Sequence, residues 1–181
     1  MIVAAAAEEF ATQGIDGTTT AAICQRAGIG SGTFFHYFPT KQAAFLAVFA
    51  DDVPRVEDLC ARALATADAD VGLDLLLDHL LAEVADPLAP GLASAAVLQA
   101  NRDPELARVL VSLDDRLARA LTTILQRVRR RSGRQLAFSA PATARWIQRL
   151  VDATHLGTGA VPRATEVAEL RRIIAWLIGR G

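Results

Sequence analysis

The chain is nearly without lysine: Lys41 is the only one, beside 18 arginines. Alanine is abundant in compensation, a bias of a GC-rich genome rather than of function. It also lacks any uninterrupted apolar run near the ~18 residues that a membrane span requires, so no spanning helix and no membrane partner are expected. Its two cysteines, Cys24 and Cys60, allow at most one bridge and exclude a disulfide-stapled framework. Cys24 falls on the inner face of an expected helix, so both read as buried free thiols. The opening MIVAAAAEEF has no basic residue ahead of its apolar stretch and runs straight into Glu8 and Glu9, unlike a secretory signal. The cytoplasm is the expected location. Sustained alternation of β-branched residues is missing as well, which argues against strands.

Catalytic arrangements are missing too. There is no Ser/His/Asp pattern, no phosphate-cradling glycine loop and no dinucleotide fingerprint. Asp51 with Asp52, and Asp114 with Asp115, are adjacent, and adjacent residues on a helix point apart, so these pairs read as solvated faces. His79 and Glu83 stand at i and i+4, but two ligands fall short of a zinc site. No catalytic residue, metal or cofactor is expected, and the chain does not read as an enzyme.

What is present is a helical chain of 181 residues, 52% hydrophobic and 22% charged, enough for one domain or two small ones with a sizeable core. The most informative stretch is AGIGSGTFFHYFPTK, from Ala27 to Lys41. Gly28 follows an apolar-periodic helix and is free to take positive φ, so it can stop that helix and redirect the chain. Upstream, Ile23, Cys24 and Ala27 share one helical face, with Thr19 a fitting N-cap. Downstream, Phe34 and Phe38 are four apart and pack inward together, leaving Ser31, Thr33, Phe35 and His36 outward. This is the pattern of a helix-turn-helix, whose second helix enters a DNA groove. Thr40 caps the next helix. Lys41 sits in that helix's first turn, where a cation is poorly matched to the dipole and an external anion such as phosphate would suit it.

These residues resemble the TetR family of bacterial transcriptional regulators. The resemblance rests on Ala6, Ala7, Phe10, Gly14, Thr18, Thr19, Ile23, Ala27, Gly28, Ile29, Gly32, Thr33, Phe34, Phe35, Tyr37, Phe38 and Lys41, aligned without gaps. It implies an all-α fold of about nine helices: a three-helix DNA-binding domain over residues 1–46, then a helical effector-binding and dimerisation domain over 47–181. It further implies a homodimer on a pseudo-palindromic double-stranded operator, with Thr18, Thr19, Arg26, Ser31, Gly32, Thr33, Phe35, His36, Tyr37 and Lys41 toward DNA. Three positions depart from the pattern. Gly30 replaces a capping Ser, Ala22 an acid, and Phe35 a Tyr whose hydroxyl reaches phosphate. Up to Lys41 the only cations are Arg26 and Lys41, against Glu8, Glu9 and Asp16, whereas phosphate contact calls for basic residues. The family implies a basic leader ahead of the first helix that this numbering does not contain. Backbone amides at helix N-termini are a second source of phosphate contacts.

Beyond residue 50 apolar residues recur at three and four. One helix carries Leu73, Leu76, Leu77, Leu80, Leu81 and Val84; a second runs from about Gly91 to Asn101. A long third starts at Pro104 with Asp103 as N-cap and ends near Ser132. A fourth is headed by Ser139 and Pro141, and a fifth is capped by Thr165, with a loop of Gly157, Gly159 and Pro162 between them. Arg127, Arg129, Arg130, Arg131 and Arg134 could touch phosphate, but more simply complement the negative end of the long helix.

The wide apolar faces of the last two helices, with Ile147, Leu150, Val151, Leu170, Ile173, Ile174 and Leu177, suit a homodimer interface; closing the protomer's own core is the alternative. Central helices would enclose an unidentified small-molecule effector, mainly apolar. Its wall would be Leu76, Leu80, Val97, Leu98, Leu113, Leu117 and Trp146, with His79, Glu83, Asn101, Asp114 and His155 as polar candidates. Three readings follow: a ligand-responsive repressor, a helical ligand-binding or interaction protein that kept the helix-turn-helix but lost DNA binding, and a helical enzyme.

Overall fold

A computed structural model describes residues 1–157 and 163–180. Among these residues the chain is all helical: α1 Ile2–Gly17, α2 Thr20–Ala27, α3 Ser31–Tyr37, α4 Lys41–Ala50, α5 Asp52–Ala65, α6 Ala69–Ala85, α7 Ala89–Ala100, α8 Pro104–Ser132, α9 Ala140–His155 and α10 Arg163–Leu177. That is ten helices against the nine or so expected, and only Asp51, itself in helical conformation, separates α4 from α5. Of the glycine- and proline-containing loop before α10, Gly159 and Pro162 lie outside the described residues. No single described helix is long and apolar enough to cross a membrane.

The chain divides into two compact units, each discontinuous in sequence. The first holds Met1–Val53 and Pro87–Val111; the second holds Pro54–Asp86 and Ser112–Gly181. The first packs α1 to α4 around Phe10, Ile23, Phe34 and Phe45, all fully enclosed. Phe10 and Phe45 meet edge to face with centroids 4.9 Å apart, an arrangement aromatic rings favour. Helix α1 is broken at Gly14, whose φ of 65° and ψ of 178° are open to glycine, so the chain turns before α2. Helix α7 closes this unit by packing on α1, and Ala95, Ala96 and Leu106 join its core.

The local signals for ends and turns behave as their chemistry requires. Gly28 ends α2 in the left-handed conformation at φ 67°, and the Thr19 hydroxyl accepts from the Ala22 amide at 3.1 Å. Thr40 caps α4 in the same way, and Asp103 accepts from the amides of Glu105 and Leu106 at the head of α8.

The second unit buries one apolar stripe from each of α5, α6, α8, α9 and α10, with Leu73, Leu76, Leu121, Ile124, Ile147 and Ile174 at its centre. Its arginines do not serve α8 alone. Arg127 donates to the carbonyls of Leu64 and Thr66 at 2.7 and 2.6 Å, and Arg131 donates to that of Ala67. Two members of the cluster thus also satisfy carbonyls at and just beyond the end of α5, while Arg129, Arg130 and Arg131 stand in the last turn of α8, where the helix dipole favours them. Arg134 and Arg180 converge on Asp70. Both cysteines are buried and free, and desolvation raises the Cys60 thiol's pKa, which keeps it protonated and unreactive.

Candidate nucleic-acid interface and effector residues

Helix α3 is pinned by one residue and presents the rest. Phe34 is fully buried in the first unit's core, with Phe38 packed beside it at 5.7 Å between centroids. Ser31, Gly32, Thr33, Phe35, His36 and Tyr37 are all exposed. The Phe35 ring stands perpendicular to Phe34 at 5.4 Å, so an aromatic probe is fixed on the outer face without a hydroxyl to give to phosphate. Thr19 is exposed and engaged as a cap.

Three residues expected at the DNA surface have partners within the protein. Thr18 is 1% exposed, and its hydroxyl donates to the carbonyl of Gly14 at 2.7 Å, which ties the break in α1 to the start of α2. Arg26 donates to Glu9 at 2.6 Å and Glu8 at 2.7 Å, and these two carboxylates raise its pKa. Lys41 donates from Nζ to the carbonyls of Ile15 at 2.6 Å and Thr18 at 2.9 Å. The mismatch between Lys41 and its own helix dipole is therefore resolved by backbone oxygens at the end of α1, not by an external anion.

The effector candidates divide between the units. Leu98 and Asn101 belong to the first: Leu98 is 70% exposed, and Asn101 ends α7 with its amide donating to the Val97 carbonyl. Leu98 also lines a cleft of about 310 Å³ between α1 and α7, together with Gly14, Asp16, Ser94 and Arg102. Leu76, His79, Leu80, Leu113, Leu117, Trp146 and His155 belong to the second. Leu76, Leu80 and Leu117 are closed within its core, Leu113 packs against that core, and Trp146 is half exposed beside Phe138 with Arg149 over its ring.

The polar candidates of the second unit do come together. His79 pairs with Glu83 at 3.3 Å, and His155 makes a hydrogen bond to the Glu83 backbone. Gln148 donates to the Asp114 carbonyl at 2.8 Å, which lays α9 along α8 and brings Asp152 near Asp114. Desolvation, then the charges of Asp152 and Asp115, push the Asp114 carboxyl up to about 6. Asp114 and Asp152 are both exposed, yet the protein beside their carboxyls displaces enough water to disfavour the charge; the Asp152 pKa is raised by the same cause. For His155, desolvation and then the Arg163 guanidinium lower the pKa. Arg163 was missed from sequence; its signal was the one that marked Lys41, a cation in the first turn of a helix. Among the described residues no three metal-ligating side chains gather.

The expected dimer residues need correction. Ile147, Val151, Leu170, Ile174 and Leu177 are buried in the protomer's own core, so their side chains offer no surface to a second chain. Leu150 is partly buried against the same core. Only Ile173, 45% exposed, faces outward, and Trp176 at 61% and Trp146 at 45% are the apolar side chains that accompany it on the outer faces of α10 and α9.

Together, a glycine-ended helix, a short second helix pinned by one phenylalanine and an all-helical remainder define the helix-turn-helix regulator class. Residues 2–48 match the family described as bacterial regulatory proteins, tetR family. That match covers the helix-turn-helix stretch, about a quarter of the chain. Its fold is shared with solved structures along nearly its whole length. A TetR transcription regulator from Haloarcula marismortui superposes with a TM-score of 0.75 at 20% identity, covering 96% of this chain and 92% of that one. A regulator from Saccharomonospora viridis, solved with choline, gives 0.77 at 18% identity, covering 96% and 93%. Bacillus subtilis FadR, solved with stearoyl-CoA, gives 0.72 at 19% identity, covering 99% and 97%. No curated protein matches the sequence.

Proposed function

We propose that this chain is a ligand-responsive transcriptional repressor that binds a pseudo-palindromic operator as a homodimer and is released by a small, mainly apolar effector. The observation that carries the reading is α3: Phe34 fixes the helix in the core, and Ser31, Gly32, Thr33, Phe35, His36 and Tyr37 project from it. Thr33 and Tyr37 supply hydroxyls for phosphate or base edges, and Phe35 supplies an apolar surface of the kind that meets a thymine methyl. Residues 1–46 are the DNA-binding domain, in which Thr18, Arg26 and Lys41 hold the scaffold. Residues 47–181 bind effector and dimerise, through the outward side chains Trp146, Ile173 and Trp176. Two copies set two recognition helices about one helical turn apart, as a palindrome requires. An effector acts by differing in affinity between DNA-competent and incompetent states. The structures solved with choline and with stearoyl-CoA support small-molecule binding by this fold. The protein works in the cytoplasm and performs no catalysis.

Mobility-shift titration of the full-length protein against the DNA flanking its own gene, at two salt concentrations, tests this. A specific complex that weakens as salt rises is expected. The pairing of Arg26 with Glu8 and Glu9 favours one rival, a helical binding protein that has lost DNA; absence of any shift would establish it.

A further inference from the structure

We propose that Arg163 and His155 form a receptor for the carboxylate of a small amphipathic acid, where the end of α9 meets the start of α10. This rests on the reading that residues 47–181 bind an effector, and gives that effector its polar end.

The guanidinium of Arg163 is held by one nitrogen only. Its Nη1 donates to the carbonyl of Thr154 at 2.9 Å and lies 3.3 Å from a Glu166 oxygen. Its Nε and Nη2 are closed from solvent and have no acceptor. Those two nitrogens share one edge of the planar group, the edge that donates two parallel hydrogen bonds to a carboxylate. Buried donors of this kind are nearly always satisfied in proteins, so an enclosed fork without an acceptor points to a missing oxyanion. Neighbouring acids do not fill it: Glu166 is engaged at Nη1, and Asp152 acts on His155.

His155, the residue after Thr154, has the same defect. Its hydrogen bond to the Glu83 backbone leaves Nε2 enclosed and without a partner. The charged groups that act on the ring are Arg163 and Asp152, with Glu83 on α6 bearing the backbone contact and Asp114 beyond Asp152. Burial and the Arg163 charge lower the ring's pKa, and an arriving carboxylate opposes the second of these. The helix that bears the Glu83 contact, α6, gives Leu76, Leu80, Leu81 and Val84 to the apolar core of this unit, and an acid with an apolar tail suits a site at the edge of such a core.

Calorimetric titration of the full-length protein with octanoate, and with octanol as the neutral match, tests the receptor. Octanoate should bind and octanol should not; Arg163→Gln should weaken octanoate on the order of ten- to a hundredfold and His155→Gln by less. Equal binding of octanol, unchanged octanoate affinity in Arg163→Gln, or no octanoate binding at all would overturn it. If Arg163→Gln melts early, Arg163→Lys decides, since it keeps a charge but lacks the fork; unchanged affinity there also overturns the proposal. DNA release is measured separately. Octanoate that binds through Arg163 without releasing DNA keeps the receptor and removes the effector reading. Release by octanoate that survives Arg163→Gln keeps the effector reading and removes the receptor.

Discussion

A Cβ placed on Gly91 would lie 1.9 Å from the carbonyl oxygen of Ala11, so α7 meets α1 backbone to backbone at this point. No side chain can be added without moving one of the helices. Gly91→Ala is therefore expected to destabilise the first unit by about 1–3 kcal/mol, the range for overpacking, despite the better helix propensity of alanine. Urea unfolding checks this, and an unchanged midpoint would mean that α7 slides freely along α1.

Lys41→Met should lower stability by about 1–3 kcal/mol, because the Ile15 and Thr18 carbonyls lose a charged donor in a partly buried place. DNA affinity, measured where both proteins are fully folded, should change little. The reverse pattern, intact melting with lost binding, would return Lys41 to the phosphate surface.

Releasing Arg26 should do the opposite. With Glu8 and Glu9 both replaced by Gln, the guanidinium is freed, and DNA binding should tighten at low salt while the slope of log K against log salt steepens by about 1. An unchanged slope would place Arg26 away from the DNA.

On the last two helices, adjacent residues should part company. Ile173→Glu and Trp176→Glu should shift sedimentation toward a monomer with helicity retained. Ile174→Ala should instead cost about 2–5 kcal/mol of folding stability, as large-to-small changes in a core do.

Asp114 predicts a pH dependence of folding. Its carboxyl titrates at about 6 in the folded protein against an ordinary 3.8, so the folded state holds a proton that the unfolded chain releases. The contribution to stability is fully present below about pH 4 and is lost as pH rises through about 6. Asp114→Asn should flatten the melting temperature across that window; an unaltered profile would assign the titration to another group.

The helix ends were legible because their chemistry is local: Thr19, Gly28, Thr40 and Asp103 each act within a few residues of themselves. Partnerships across the chain were not. The dipole argument marks Lys41 as a cation short of a partner and assigns it an external anion, but the oxygen that takes it belongs to Ile15, 26 residues away, and no spacing rule reaches that far. Asp114 was read against its neighbour Asp115, whereas α9 brings Asp152 to it. Periodicity found the apolar content of α10, yet a helix with two apolar stripes does not say which one faces its own core. Ile174 takes the interior and Ile173 the surface. Leu98 and Asn101 are grouped with Leu76 in the sequence as residues of the central helices, and the units divide them.

The engagement of Lys41 has a practical corollary. This is the chain's only lysine, so side-chain amine chemistry has a single target, and that target is tied to the end of α1. The rate at which an acylating reagent modifies it gauges how often α4 parts from α1. Protection or exposure of that one amine, followed by mass spectrometry as DNA or ligand is added, reads the breathing of the helix-turn-helix unit without any introduced label.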